Sequence, residues 1–259
     1  AITAPGDLAL VPNPTYPIHA YGFMIAGGTL RHIPALNNGI FDPEEYMNSL
    51  SRAVAHSIPK PIAIVISFPS NPTAQLCDLD FYKELVTFAR KHSIWILSDL
   101  AYSEIYFDDN PPPSVLQIDG AKEISVEFTS MSKTFSMAGW RVGFAVGNKH
   151  LINALTRIKS YLDYGAFTPI QVAAVEALNS PEDYIDNIRN EYKKRRDTLI
   201  SAMSRAGWEI PKPSATMFAW APLPKKFQNL GSMEFAKILM QEAEVAVAPG
   251  IGFGEYGEG

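Results

Sequence analysis

The sequence carries a single cysteine, Cys77, among 259 residues, which rules out an internal disulfide and leaves no thiolate cluster for a metal. A lone thiol in such a chain is expected to pack as a small apolar group. Positive charge is also in short supply. Lys and Arg number 22 against 27 Asp and Glu, a net charge of -5, and the pI lies near 5.6. That balance disfavours a nucleic-acid partner, which selects a basic surface. No apolar run reaches bilayer length and no cationic, apolar leader opens the chain, so no membrane partner is expected. Internal repeats and low-complexity stretches are missing too. The chain opens on Ala1-Ile2-Thr3-Ala4 without an initiator Met and stops at Tyr256-Gly257-Glu258-Gly259 with no closing helix, which reads as a fragment of a longer protein.

What is there describes an ordinary soluble globular protein and fits a cytoplasmic enzyme: 47% hydrophobic and 19% charged residues, ample for a buried core. Apolar runs rich in β-branched residues alternate with helical patterns, the signature of an α/β fold with a mostly parallel central sheet covered by helices. The strands are expected at Leu8–Val11, Thr29–Ile33, Ala63–Ser67, Ile94–Ser98, Ile124–Phe128 and Val142–Val146. Asp42-Pro43-Glu44-Glu45 supplies an N-cap acid, a first-turn proline and a capping-box Glu for a helix over Tyr46–His56. A second helix follows over Asp78–His92, and Ser180-Pro181-Glu182-Asp183 opens a long one that ends near Gly207. The basic run Lys193–Arg196 on that helix is expected to be a solvated face.

After Gly207 the texture changes. Trp208–Ile210, Met217–Ala221 and Val245–Ala248 look like short strands around a helix at Ser232–Ala243. The expected division is a large domain over 1–205 and part of a smaller α+β domain over 206–259.

The segment most informative about chemistry is Ser130-Met131-Ser132-Lys133-Thr134-Phe135-Ser136-Met137-Ala138-Gly139-Trp140-Arg141-Val142-Gly143. Lys133 follows an apolar strand, which puts it at the carboxyl edge of the sheet, where open α/β folds place ligands. A lysine amine in a pocket can form a Schiff base with an aldehyde cofactor. Ser130, Ser132 and Arg141 are suited to hold a phosphate nearby, the arginine through its fixed fork of donors. On spacing alone, a loop lysine with chance serine neighbours is the favoured reading. Asp99 ends the fourth strand and should emerge at the same edge. Tyr102 lies three residues later, Asn71-Pro72 marks a turn, and Tyr16 sits in Asn13-Pro14-Thr15-Tyr16-Pro17.

The lysine segment resembles the cofactor-lysine signature of class I aminotransferases, enzymes of fold type I that use pyridoxal 5'-phosphate (PLP). The resemblance covers essentially the whole chain and leans toward the glutamate–pyruvate (alanine-forming) branch, beside the LL-diaminopimelate aminotransferases. That branch shares stretches similar to Phe68-Pro69-Ser70-Asn71-Pro72-Thr73-Ala74-Gln75, Asp99-Leu100-Ala101-Tyr102 and Pro249-Gly250-Ile251-Gly252-Phe253-Gly254. Ala74 departs from a frequent family glycine and touches no catalytic role.

The resemblance implies that Lys133 is the catalytic residue and bears the cofactor. It implies that Asp99 pairs with the pyridine nitrogen and keeps it protonated, so that the ring accepts electrons. Tyr102 and Asn71 would hydrogen-bond the cofactor's phenolic oxygen, Tyr16 would stack on its ring, and Ser130, Ser132 and Arg141 would hold its phosphate. Amino-acid and 2-oxo-acid substrates, ping-pong turnover and a homodimer follow, with Tyr161–Pro169 reaching the neighbouring subunit. Part of the phosphate site and the arginine for the substrate carboxylate are implied to lie outside this chain. An LL-diaminopimelate aminotransferase, a β-lyase on the same fold and the aminotransferase-like domain of a DNA-binding regulator are the rival readings.

Overall fold

Six strands form one sheet in the computed structural model, which describes residues 1–259 apart from the side chain of Glu182. They are β1 (Leu8–Asn13), β2 (Thr29–Pro34), β3 (Pro61–Ser67), β4 (Trp95–Asp99), β5 (Ser125–Ser130) and β6 (Gly143–Gly147), in the order β2-β1-β3-β4-β5-β6. The first five run parallel and β6 is antiparallel to β5. The expected α/β class with a mostly parallel sheet is therefore the class observed, and each expected strand is present within one residue of its bounds, apart from a two-residue extension at one end of β1, β3 and β5.

Helices cover both faces. On one, α2 (Pro43–Ala55) and α3 (Leu79–His92) pack Leu50, Phe81, Tyr82 and Leu85 onto Leu10, Ile64, Ile66 and Ile96. On the other, Phe23 of α1 (Pro17–Ile25) packs against Ala9, Val11, Ala63 and Val65. A parallel strand buried on both faces must be apolar throughout, and β1 is buried at all six positions. Asp42 and Asp78 cap α2 and α3 by accepting from the amides of Glu45 and Phe81, each satisfying an amide the first turn leaves free. Glu45 does not complete a capping box: its carboxylate is taken by Ser49 and Arg52 instead.

Two crossovers leave this arrangement with a switch point. The connection from β1 runs through α1 to β2 on one side, whereas that from β3 runs through α3 to β4 on the other. The two connections part at the carboxyl ends of β1 and β3, opening the crevice in which such sheets bind ligands. After β5 the chain makes a short helix, α4 (Met131–Thr134), and returns as β6, with Ser130 opposite Gly143. A Cβ on Gly143 would sit 2.7 Å from the Thr129 carbonyl oxygen, and one on Gly147 only 2.3 Å from that of Ser125. Glycine at both ends of β6 is what lets it lie this close to β5.

α5 (Lys149–Leu162) and α6 (Thr168–Leu178) lead into the long α7 (Glu182–Arg205). Pro181 rather than Ser180 occupies the N-cap of α7, the Ser180 hydroxyl being donated back to the Glu176 carbonyl. The basic run on α7 is not uniformly solvated. Arg196 is 6% exposed, its guanidinium lying over the Phe107 ring and donating to Asp108 and to the Pro213 carbonyl. A charge is buried here because it is paired and hydrogen-bonded, which a run of consecutive basic residues does not disclose.

The region beyond Gly207 holds α8 (Gly231–Ala243), matching the expected helix. Among the described residues, however, none of the three short strands expected there forms. The single ladder contact is an isolated bridge between Tyr106 and Ala215. Strand-prone residues become a strand only against a partner, and Trp208–Ile210, Met217–Ala221 and Val245–Ala248 have none. No helix among the described residues is long and apolar enough to cross a membrane.

Candidate active site

Four of the loops at the carboxyl edge carry the residues singled out above. Asp99 is the last residue of β4, opposite Ser67 on β3 and Phe128 on β5. Its carboxylate accepts from the Ala101 amide at 3.1 Å and meets His19 Nε2 at 2.9 Å. His19, on α1, is 7% exposed, and its Nδ1 lies 2.7 Å from the Thr15 hydroxyl. Nε2 meets an acceptor carboxylate and Nδ1 meets a hydroxyl that can take either role, so the three side chains form one continuous chain. Tyr16 lies beside it, its ring edge-on to His19 at 5.9 Å.

Tyr102 is buried in the turn after Asp99, its ring edge-on to Phe218 at 5.3 Å. The Asn71 amide, in the turn after β3, donates to its hydroxyl at 3.5 Å. Burial, reinforced by the nearby charge of Asp99, pushes the Tyr102 hydroxyl well above its ordinary range. It therefore keeps its proton at neutral pH and remains available as a donor.

Lys133 sits in α4, directly after β5, with Nζ 5.8 Å from the centre of the Tyr102 ring. Among the described residues no carboxylate pairs with it. Ser130 caps α4, its hydroxyl accepting from the Ser132 amide at 3.2 Å. Arg141 is exposed and donates to the carbonyl of Ala138 in its own loop at 2.9 Å, from a backbone with φ of 55°. Asp99, His19, Ala101 and Ser130 border a mostly apolar cavity of about 540 Å³ that Tyr102, Asn71 and Lys133 do not line.

The structure thus brings Asp99, Tyr102, Asn71 and Lys133 to one place, with Tyr16 at its rim. Ser130, Ser132 and Arg141 lie on the adjoining loop, where Arg141 makes no bond to either serine among the described residues. Among those residues, too, no three His, Cys, Asp or Glu side chains gather as a metal site would need.

His19 and Thr15 did not emerge from the sequence. Their one signal is that a histidine is the sole ionisable side chain in the otherwise apolar stretch Pro17-Ile18-His19-Ala20-Tyr21-Gly22-Phe23-Met24-Ile25 bar one tyrosine. Such a group must find a partner if buried.

The chain matches the family model for class I and II aminotransferases over residues 1–259. It is 63% identical over 258 residues to the putative aminotransferase AatC of Rhizobium meliloti, covering 100% of this chain and 62% of that one. It is 48% identical to the glutamate-pyruvate aminotransferase AlaC of Escherichia coli, covering 98% of this chain and 60% of the other. Among solved structures it superposes on substrate-bound BacF of Bacillus subtilis with a TM-score of 0.90 and 34% identity, covering 99% of this chain and 63% of that one. The chain spans about three fifths of the length of the curated relatives it matches.

Proposed function

This chain belongs to the class I and II aminotransferases, and from that premise we propose that it forms the PLP-binding core of an enzyme moving an amino group between an L-amino acid and a 2-oxo acid. The observation that carries the reading is the convergence of an unpaired lysine, a carboxylate and a protonated phenol at one sheet edge.

These residues fit the cofactor's chemistry. Asp99 is oriented by His19 and the Ala101 amide, so its carboxylate is placed to hold a proton on the pyridine nitrogen. An anion beside that nitrogen raises its pKa. Tyr102 and Asn71 present an O–H and an N–H donor for the phenolic oxygen. Tyr16 offers a flat face to the ring, while Ser130, Ser132 and Arg141 are the donors for the phosphate. When bound, the group supplies an electron sink for the negative charge that develops at the substrate Cα.

Lys133 does the rest. Its amine would be the point of attachment for the cofactor, and when free that amine would take the proton from the substrate Cα and hand it to the cofactor's aldehyde carbon, across the intervening nitrogen. A lysine suits this work because a free amine can both accept and return a proton at the carbon beside it. Two half-reactions through one modified form of the enzyme give ping-pong kinetics. Alanine/pyruvate and glutamate/2-oxoglutarate are the pairs we assign, on the likeness to the AlaC enzyme.

A homodimer completes the reading. Tyr161, Leu162, Tyr164 and Phe167, with Val172, Val175 and Leu178 of α6, form an apolar surface exposed to solvent, Tyr164 at 91%. A patch of that kind marks an interface, and it includes the segment assigned to the neighbouring subunit's site. We assign 1–205 to a cofactor-binding domain and 206–259 to the start of a smaller one. The acidic balance and single thiol accord with a cytoplasmic setting.

The test is the visible spectrum of the full-length protein with PLP, beside Lys133→Ala. An imine band should appear only with Lys133, bleach on adding L-alanine and return with 2-oxoglutarate. Failure of any such band in the wild-type protein would remove the central claim, whereas a band indifferent to alanine would remove only the substrate.

A further inference from the structure

Helix α7 touches the site from behind at a place no catalytic role explains. Arg189 lies on it with its side chain 18% exposed. The guanidinium donates from Nε to the Glu104 backbone carbonyl at 3.1 Å, from Nη2 to the Glu104 carboxylate at 3.2 Å and from Nη1 to Asp186 at 2.6 Å. It also stacks over the Tyr106 ring at 4.0 Å. Every partner except Asp186 belongs to the segment that begins two residues after Tyr102. Within that segment the Ile105 amide donates to the Tyr102 carbonyl at 3.0 Å, and the Thr216 amide donates to the Ile105 carbonyl at 2.7 Å.

The turn bearing Tyr102 is therefore tied at its downstream end by backbone bonds to 214–216 and, through side chains, by one arginine that engages all three of its nitrogens. Three directed bonds and a stacked face leave a planar guanidinium one geometry. Lysine, with a single ammonium, cannot make them together. The same helix reaches the lysine loop through Tyr184, whose ring stacks on Phe135 and whose hydroxyl donates to the Phe135 carbonyl at 3.5 Å. α7 thus holds two walls of the site at once.

We propose that Arg189 is a positioning residue for the reaction, setting the distance between the Tyr102 hydroxyl and the cofactor oxygen by anchoring Glu104 and Tyr106 to α7. The inference rests on the assignment of Tyr102 made above. The Asn71–Tyr102 contact, at 3.5 Å, is long for a hydrogen bond, so Asn71 alone does not hold the hydroxyl in place. Slackening at Arg189 passes to Tyr102 through only two intervening residues.

The measurement is the pH midpoint of the visible imine transition in the full-length PLP-loaded protein, for Tyr102→Phe, Arg189→Met, Arg189→Lys and Arg195→Met. Arg195 lies on α7 and bonds Glu191 in solvent, and so serves as the control. Losing a donor to the phenolic oxygen leaves more negative charge there to hold the imine proton, which moves the midpoint to higher pH. Arg189→Met should shift it in the direction of Tyr102→Phe by a measurable fraction of that shift. Arg189→Lys should shift it less, and Arg195→Met not at all. In the cofactor-free protein, amide hydrogen exchange over 102–108 should quicken in Arg189→Met alone. Should Arg189→Met fail to fold, Glu104→Gln, at a half-exposed carboxylate, decides in its place with a smaller shift of the same sign. A midpoint unmoved in the Arg189 variants while Tyr102→Phe moves it overturns the inference. A midpoint unmoved by Tyr102→Phe itself overturns the site assignment beneath it.

Discussion

The two ends of the site are built differently. At the end we assign to the pyridine ring, Thr15, His19 and Asp99 form a largely buried chain of hydrogen bonds, and Tyr102 is packed between Phe218 and the turn it belongs to. At the end we assign to the phosphate, the Ser130 hydroxyl is engaged by the Ser132 amide in one short helix cap, and Arg141 is exposed and, among the described residues, tied only to its own loop. The first end is preorganised and the second is not. Preorganised groups act without reorganisation cost when charge develops, whereas loosely held donors supply binding energy only after they have been ordered. On the proposed assignment, the contrast gives electronic control to one end and attachment to the other.

The largest effect that could break this contrast comes from Lys133, which stands between the ends. Lys133→Ala should abolish the imine band and slow turnover by about 10²- to 10⁴-fold, the range for a lost general base, with the fold intact by circular dichroism. Next is Asp99→Asn. Removing the anion should lower the pKa of the ring nitrogen by roughly one to three units, read by ¹⁵N NMR of labelled cofactor; an unchanged nitrogen would mean the rigid end does not control the ring. Arg141→Met should instead weaken cofactor affinity, by about 1.5–3 kcal/mol for a hydrogen bond to a charged group, and leave the ring nitrogen unmoved. A smaller change is expected for His19→Phe, which leaves Asp99 with the Ala101 amide alone, and a smaller one still for Thr15→Val, about 0.5–1.5 kcal/mol. Both should act through the ring nitrogen and not through phosphate affinity.

The smallest effect concerns alkali. Burial raises the Tyr102 hydroxyl above its ordinary value of 10.0, so the fold favours the protonated form. Its contribution to stability is whole below that value and is lost as pH rises through and beyond it. Tyr46 and Tyr82 are raised by burial as well and add to the same slope. Denaturation midpoints above pH 10 should fall less steeply in Tyr102→Phe than in the parent.

What the sequence made legible follows the same division. Strands, helix caps and the lysine loop are local patterns, readable because apolar periodicity and capping residues act over a few positions. Asp99 could be placed because it closes an apolar run. His19 could not, because its meaning lies in a carboxylate eighty positions away. Arg196 looked solvated for a similar reason: Asp108 and Pro213, which bury it, are distant in sequence. The strands expected beyond Gly207 were local propensity without partners, and propensity alone makes no ladder.

The histidine–aspartate pair also sets an order of events. His19 enters just after β1 and Asp99 closes β4, with β3 between those strands in the sheet. The pair can meet only once three neighbouring strands have zipped, after the entropy of a long loop has been spent. The topology leads us to expect that a refolding chain acquires helix and strand before it can grip a pyridine ring. Recovery of far-ultraviolet circular dichroism should run ahead of cofactor capture, and the interval between them times the closing of this one contact.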